Sequence, residues 1–182
     1  MAMKVEIRPA TLRDCTFVAA NMRDQDHREL TAILNEPRVS LGALCFLSAP
    51  DTSWCAWLDG SPIAAFGFSP GVMPHTCWSA WAYGTKRMRR AIPAISRHGQ
   101  TVVAPMLIDR GVLRVEVRSI ADHDIAHQWL AGLGAAPECR LEDYGLNGET
   151  FILYAWTRSR YVPVRKPQPP RSPASPAAGA FA

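Results

Sequence analysis

The chain has 182 residues, 48% of them hydrophobic, which is enough for one domain with a buried core and an appendage. It contains no apolar run approaching the ~18 residues of a membrane span, and its first residues lack the apolar segment of a secretory signal, so we expect synthesis in the cytoplasm and no membrane insertion. The formal net charge of +4 is unevenly distributed, because residues 158–182 contain five of the 20 Lys and Arg and none of the 16 Asp and Glu.

The first part of the chain predicts a strand followed by helices. Residues 4–8 alternate polar and apolar side chains, which is typical of a strand. Thr11 and Asp14 match a capping box, in which two side chains satisfy unpaired backbone N–H groups at a helix start. Apolar residues at helical spacing predict two more helical stretches, through residues 30–34 and 41–45.

A β-hairpin and a further strand come next. Asp59-Gly60 is a dipeptide that fits a two-residue type I′ turn, and it separates apolar runs at residues 53–58 and 62–68. A loop rich in Pro and Gly then leads to an aromatic-rich run at residues 77–83. Together these runs predict three consecutive strands.

Residues 86–110 predict a long helix with one apolar face. Pro93 and Pro105 interrupt it, and we expect a kink or a restart at each, because proline lacks the N–H that an interior helical position must donate.

A strand and a short helix follow. Residues 113–118 alternate apolar and charged side chains, as a half-buried strand does. Asp122 is placed to cap a helix whose apolar face runs through residues 125–133. Gly134 stands where a C-terminal glycine is common.

Residues 139–144 and 150–156 surround Asn147-Gly148, which predicts a second hairpin. The whole order contains seven strands, with helices after the first, fourth and fifth. It predicts an α/β (α+β) domain of three layers in residues 1–157.

Residues 158–182 differ in composition from the rest. They contain six prolines and little that could be buried, so we expect a basic, proline-rich tail outside the domain. Such an arm either contacts an acidic protein groove or a nucleic-acid backbone, or is a solvated extension. Its candidate partner-binding residues are Arg158, Arg160, Arg165, Lys166 and Arg171.

The sequence contains five cysteines and a spaced pair of histidines. The five cysteines form no Cys-x-x-Cys pair and have apolar neighbours, which predicts buried, reduced thiols. His123 and His127 have the i, i+4 spacing of some metal ligands, but no third ligand accompanies them. We interpret them as helix-capping and surface residues and predict no metal site.

Two segments resemble the GCN5-related N-acetyltransferase (GNAT) family. Residues 125–134, Ile-Ala-His-Gln-Trp-Leu-Ala-Gly-Leu-Gly, are similar to the fourth helix of that family with its terminal Leu-Gly, and residues 7–14 are similar to its first strand and helix. Residues 81–85, Trp-Ala-Tyr-Gly-Thr, followed by an arginine-rich helix, resemble a branch encoded by tailed phages that includes internal virion proteins of podoviruses. The resemblance covers residues 4–157 and implies a GNAT-like fold with a mixed central sheet.

The resemblance also implies a phosphate site after the fourth strand. Family members carry roughly Gln/Arg-x-x-Gly-x-Gly/Ala there, whose backbone N–H groups hold the pyrophosphate of acetyl-CoA. This chain has one glycine and four basic residues in that stretch. Its basic side chains are therefore candidates to bind the phosphates, DNA or an acidic partner, and the alternative is a solvated helical face. The candidate cofactor-binding residues are Gly84, Thr85, Lys86, Arg87, Arg89 and Arg90.

Two functional positions of the family are altered in this chain. Leu130 stands where family members often have the tyrosine that protonates the departing thiolate, and His123 stands where they often have asparagine. Glu116 is the candidate general base, since it projects from an apolar strand near the expected cleft. Its alternative role is a polar face shared with Arg114 and Arg118. His75 and Tyr83 are further acid or base candidates.

Two functions follow from these features. The first is a phage virion-associated or assembly protein on a degenerate acetyltransferase scaffold, whose arm docks another virion protein, a subunit of the same oligomer, or DNA. The second is an N-acyltransferase that uses acetyl-CoA on a host or phage amine. An open cleft between splayed fourth and fifth strands would favour the enzyme, and a filled cleft the virion component.

Overall fold

A computed structural model describes residues 4–71 and 73–161, in which seven strands form one mixed sheet. The strands are β1 (Glu6–Pro9), β2 (Ser53–Leu58), β3 (Ser61–Pro70), β4 (Cys77–Gly84), β5 (Arg114–Ile120), β6 (Ala136–Leu141) and β7 (Phe151–Thr157). Their order in the sheet is β1-β2-β3-β4-β5-β7-β6. The β4–β5 pair is parallel, and the other neighbouring pairs in the described residues are antiparallel.

Six α-helices connect the strands of the described residues. They are α1 (Leu12–Ala20), α2 (Asp24–Thr31), α3 (Arg38–Ser48), α4 (Ile92–His98), α5 (Ala104–Asp109) and α6 (Asp124–Gly132). A π-helical segment, Gly99–Val103, joins α4 to α5, and short 3₁₀ turns lie at Pro50–Thr52, Met88–Arg90 and Arg158–Arg160.

The sheet is the middle of three layers. On one face Val18 of α1 and Cys45 of α3 pack with Cys55 and Tyr83 of the sheet. On the other face Ile95 of α4 belongs to a second buried cluster, against which Trp129 of α6 packs. This arrangement confirms the predicted α/β (α+β) three-layer fold with a mixed sheet.

Local signals of the sequence are confirmed at two places. The amide of Asp14 donates to Thr11 Oγ1 at 3.2 Å and the amide of Thr11 donates to Asp14 Oδ2 at 3.1 Å, so the capping box begins α1. Asp59 and Gly60 both have positive φ, 51° and 74°, as a type I′ turn requires between β2 and β3.

Several sequence predictions need correction. The restart expected at each proline is confirmed, because each proline occupies the first turn of a new helix, α4 or α5, where its missing N–H costs nothing, but the first of these helices begins at Ile92 and not at Lys86. Asp122 does not cap α6: the N-cap position is His123, and Asp122 pairs with Arg28 at 2.7 Å. The second hairpin is confirmed by the antiparallel β6–β7 pair, but β6 lies at Ala136–Leu141 and not at residues 139–144, and the connection has positive φ at Asp143 and Gly148.

The prediction of buried thiols holds for three of the five cysteines. Cys15, Cys45 and Cys55 are buried, whereas Cys77 is half-buried and Cys139 is exposed on β6, an edge strand of the sheet. All five are free thiols.

Much of the predicted tail lies outside the described residues. Arg158 and Arg160 are exposed in the 3₁₀ turn that follows β7. The predictions for Arg165, Lys166 and Arg171 fall on residues that the structure does not describe.

Candidate functional site

The sheet opens between its two central strands. β4 pairs with β5 over three register positions, Cys77 with Arg114 to Ser79 with Glu116. Beyond Ser79, β4 continues to Gly84 with β3 as its ladder partner, and β5 continues to Ile120 with β7 as its partner. The facing edges of β4 and β5 therefore separate, and a gap divides this end of the sheet.

A cleft of about 610 Å³ occupies this gap. Its walls are mostly apolar and come from the central strands, from α6 and from the segment between α4 and α5. Among the residues that line it are Phe66, Trp81, Ala82, Val117, Trp129 and Leu130. Leu130, which stands where the resembling family often has a tyrosine, thus faces the cleft without a hydroxyl group.

The open edge of β4 offers main-chain groups to a ligand. Residues 80–83 have no β5 partner in the described part of the chain, since the parallel pairing ends at Ser79. An extended ligand with amide groups can hydrogen-bond to such an edge as an added strand does.

The end of β4 is closed by the junction of α1 and α2. The amide of Gly84 donates to Asp26 Oδ2 at 2.8 Å, and the carbonyl of Gly84 accepts from the amide of Arg23 at 2.9 Å. Arg23 and Asp26 form an ion pair at 2.7 Å, and Asp26 is 5% exposed. The buried Asp26 carboxylate therefore already accepts the hydrogen bond that the Gly84 amide could otherwise donate to a ligand.

The loop after β4 has few amides left for an anion. The amide of Thr85 donates to Ile63 O at 2.9 Å, and Thr85 in turn accepts from the amides of Arg87 and Met88. At Gly84 a Cβ atom would lie 2.6 Å from Met88 Cβ, so the glycine is needed for close packing. The candidate phosphate site is thus a cluster of basic side chains instead of a backbone cradle.

The basic side chains of the loop differ in their surroundings. Arg87 is paired with Asp59 of the β2–β3 turn. Lys86, Arg89 and Arg90 are exposed beside it.

Glu116, the predicted base, lies in the cleft wall. Its Oε1 accepts from Arg114 Nε at 2.7 Å and its Oε2 accepts from an Arg118 guanidinium nitrogen at 3.2 Å. Arg114 also holds Glu138, and this contact lowers the pKa of the Glu138 carboxyl. The contacts match the alternative prediction, a polar face of alternating charges on β5, and the catalytic role of Glu116 stays a prediction.

Tyr83 is placed away from proton transfer in the cleft. It is fully buried between the sheet and α1, and its hydroxyl donates to Cys15 O at 3.2 Å. Burial raises the pKa of the phenol.

The surface role predicted for His123 is wrong. This side chain lines the cleft and is 4% exposed, and its Nδ1 lies 2.6 Å from Oε2 of Glu29 on α2. Its Nε2 is buried and has no hydrogen-bond partner within the described residues. His127 is bound differently, with Nε2 at 3.1 Å from Ile120 O.

Sequence reasoning missed the Glu29–His123 pair. The two residues are 94 positions apart, and Glu29 belongs to a polar helix that carries no motif. The one available signal was the substitution of His123 for the asparagine common in the resembling family.

Two negative findings concern residues 4–71 and 73–161. No group of three or more His, Cys, Asp or Glu side chains in these ranges is placed to hold a metal ion. No helix in them combines the length and the apolar character that crossing a bilayer requires.

Comparison with known proteins gives likeness in structure alone. No protein-family model matches the chain, and no curated protein sequence does. Among solved structures, Ard1 from Thermoplasma volcanium is similar with a TM-score of 0.63 at 14% identity, over 84% of this chain and 97% of that one. An acetyltransferase of the GNAT family from Bacillus anthracis has a TM-score of 0.62 at 12% identity, over 86% and 98%.

A third similar structure is the ribosomal-protein-S5-alanine acetyltransferase from Vibrio fischeri. Its TM-score is 0.58 at 16% identity, over 90% of this chain and the whole of that one. These likenesses span the length of a complete acetyltransferase domain, and at this level of identity they show the fold. The resemblance to a phage branch stays a prediction. The chain has the fold of the GNAT acetyltransferases.

Proposed function

We propose that this protein is an N-acyltransferase that transfers an acyl group from acetyl-CoA to a primary amine. The observation that carries the proposal is the gap between β4 and β5, where pairing stops after three positions and leaves an apolar cleft of about 610 Å³. An open cleft at this place was the feature expected of the enzyme, and it supports the enzyme proposal over the virion proposal.

The cleft fits the pantetheine arm of the donor. That arm is an extended chain with two amides, and the main chain of residues 80–83 provides an unpaired strand edge for them. Apolar walls such as Trp81 and Val117 exclude water from the thioester.

The loop after β4 fits the pyrophosphate less well than a glycine-rich cradle does. Its amides donate within the protein, and Asp26 places a carboxylate beside Gly84. The phosphates are left to the exposed side chains of Lys86 and Arg89, whose charges are screened by water and salt. We therefore expect affinity for acetyl-CoA to be moderate and to fall with salt.

Calorimetric titration of the full chain with acetyl-CoA and with CoA tests the proposal. Binding in the micromolar range is expected, and the double variant Lys86→Ala/Arg89→Ala should weaken it about tenfold. The matched control Lys4→Ala/Arg13→Ala removes the same charge from exposed positions outside the loop and should leave the affinity unchanged. No heat up to about millimolar ligand would contradict the proposal.

A second proposal is a virion or assembly protein on this scaffold. It is supported by the amides of the 84–88 loop, which donate hydrogen bonds within the protein, and by the basic composition of residues 158–182. Co-purification with phage particles, together with absent acetyl-CoA binding, would favour it over the enzyme.

A further inference from the structure

We propose that His123, oriented by Glu29, is the general base that accepts the proton of the attacking amine. The inference rests on the proposed acyltransferase function, and it assigns the catalytic residue of that same cleft.

The fold fixes both members of the pair. His123 is the N-cap of α6: its amide donates to Ile120 O at 3.1 Å, and its carbonyl accepts from the amide of Ala126 at 2.9 Å. Glu29 lies on α2 with its side chain 17% exposed. Because both are set on helices and shielded from bulk water, the imidazole has a defined orientation.

The contact with Glu29 decides which ring nitrogen is basic. An ionised carboxylate only accepts hydrogen bonds, so Nδ1 carries the proton and donates to Oε2 over 2.6 Å. In the neutral imidazole Nε2 is then the nitrogen with the lone pair. A buried ring nitrogen without a partner is costly, and a ligand N–H in the cleft would supply the missing hydrogen bond.

The other carboxylates in the cleft wall already have cationic partners. Asp26 is held by Arg23 and by the amide of Gly84. Glu116 is held by two arginines. His123 Nε2 therefore differs from both in having an open acceptor position.

In the proposed step, Nε2 removes one proton from the amine nitrogen as that nitrogen attacks the thioester carbonyl carbon. A C–N bond forms, the C–S bond breaks, and its electron pair leaves on sulfur. The imidazolium is stabilised by Glu29 and returns the proton to the thiolate. The products are the amide and the free thiol, with His123 neutral again. Leu130 provides no hydroxyl donor, so the same residue serves as base and then as acid.

Steady-state kinetics with substituted full-length proteins test the role. Thiol release from acetyl-CoA is followed with three probe amines: spermidine, tyramine and a peptide with an N-terminal alanine. His123→Asn keeps an amide donor toward Glu29 and lacks the Nε2 acceptor. It should lower kcat about 100-fold while the Kd for acetyl-CoA stays within about twofold. Glu29→Gln should lower kcat about tenfold.

Two variants serve as comparisons. His127→Asn makes the same change four residues along α6, outside the cleft lining, and should leave kcat unchanged. Glu116→Gln tests the competing carboxylate. A large loss with Glu116→Gln and none with His123→Asn would overturn the assignment to His123.

A readout without turnover separates this inference from the proposed function. Nitrogen NMR of histidine-labelled protein should show His123 protonated at Nδ1 and unprotonated at Nε2, and the Nε2 signal should move when acetyl-CoA and an amine are added. A proton resting on Nε2 would overturn the inference. If acetyl-CoA binds and His123→Asn has the wild-type rate, the inference fails alone. If acetyl-CoA neither binds nor reacts, both fail.

Discussion

The Asp26 carboxylate accepts a hydrogen bond from the amide of Gly84 at 2.8 Å, across 58 positions of sequence. The contact joins α2 to the end of β4, and Arg23 balances its charge. An anion of the protein thus occupies the place at the strand end where a phosphate would have to compete for the amide.

Replacement of Asp26 should be costly. Asp26→Ala leaves the half-buried Arg23 guanidinium and the Gly84 amide unpaired, and we expect a loss of about 3 kcal/mol in the free energy of unfolding. Asp26→Asn keeps an acceptor for the amide and should lose less. Urea denaturation measures both. Asp59→Asn breaks the exposed pair with Arg87, and its effect should stay below about 1 kcal/mol.

The two helices that cover one face of the sheet approach each other at Gly42. A Cβ atom there would lie 2.7 Å from Ala19 Cβ and 2.7 Å from Cys15 O, so Gly42→Ala should destabilise the protein by about 2 kcal/mol. Gly132→Ala in α6 is the matched control. It meets no atom within 4 Å and should be neutral or slightly stabilising. Equal thermal shifts for the two variants would contradict the packing explanation.

Acidification should weaken the fold through His98. Its ring packs against Trp54 and Phe66, and burial lowers its pKa from the ordinary 6.5. The unfolded chain therefore takes up this proton at a higher pH than the folded protein. Stability is unaffected above pH 6.5 and falls as the pH drops from there through the folded pKa. Denaturation from about pH 8 to about pH 5 should show a smaller fall in His98→Gln.

The phosphates of the donor should contribute little to binding. S-acetylpantetheine lacks them and should bind within about tenfold of acetyl-CoA at physiological salt, since exposed charge pairs are each worth less than about 1 kcal/mol. Competition titration measures the ratio. A loss of about a thousandfold would mean that the loop holds the pyrophosphate firmly, against the hydrogen bonds found at Thr85 and Gly84.

Alkylation of the native protein should distinguish the five thiols. Cys139 is exposed and should react first with iodoacetamide. Burial raises the pKa of Cys15 to about 11 and that of Cys45 to about 12, so these thiols should react only after unfolding. Peptide mass spectrometry identifies the modified residues, and early labelling of Cys15 would contradict the packing of α1.

Local features were predictable because their causes are local. The capping box at Thr11 and the type I′ turn at Asp59-Gly60 depend on neighbours within four residues, and both were predicted. The division of the long helix at Pro93 and Pro105 follows from proline chemistry, although the π-helical segment between the two parts left no recognisable signal.

The site itself could be predicted only in part. Glu116 and Leu130 line the cleft, and family resemblance supplied their positions. The phosphate-binding role of Lys86 stays a prediction. The closure of Gly84 by Asp26 and the pairing of His123 with Glu29 depend on how α2 packs against the end of the sheet. Such contacts join residues 58 and 94 positions apart, and no spacing rule in one sequence encodes them.

The pairing of β4 with β5 over only three positions also affects how the domain opens. The sheet consists of two groups of strands, β1–β4 and β5–β7, which are joined within the sheet by the short β4–β5 pairing. Separation of these two groups of strands breaks fewer hydrogen bonds than unpairing the strands within either group. We therefore expect local opening of the domain to occur first between β4 and β5. A donor molecule bound in the gap would contact both groups of strands and hold them together, so amide exchange should slow most at residues 80–83 and 117–120.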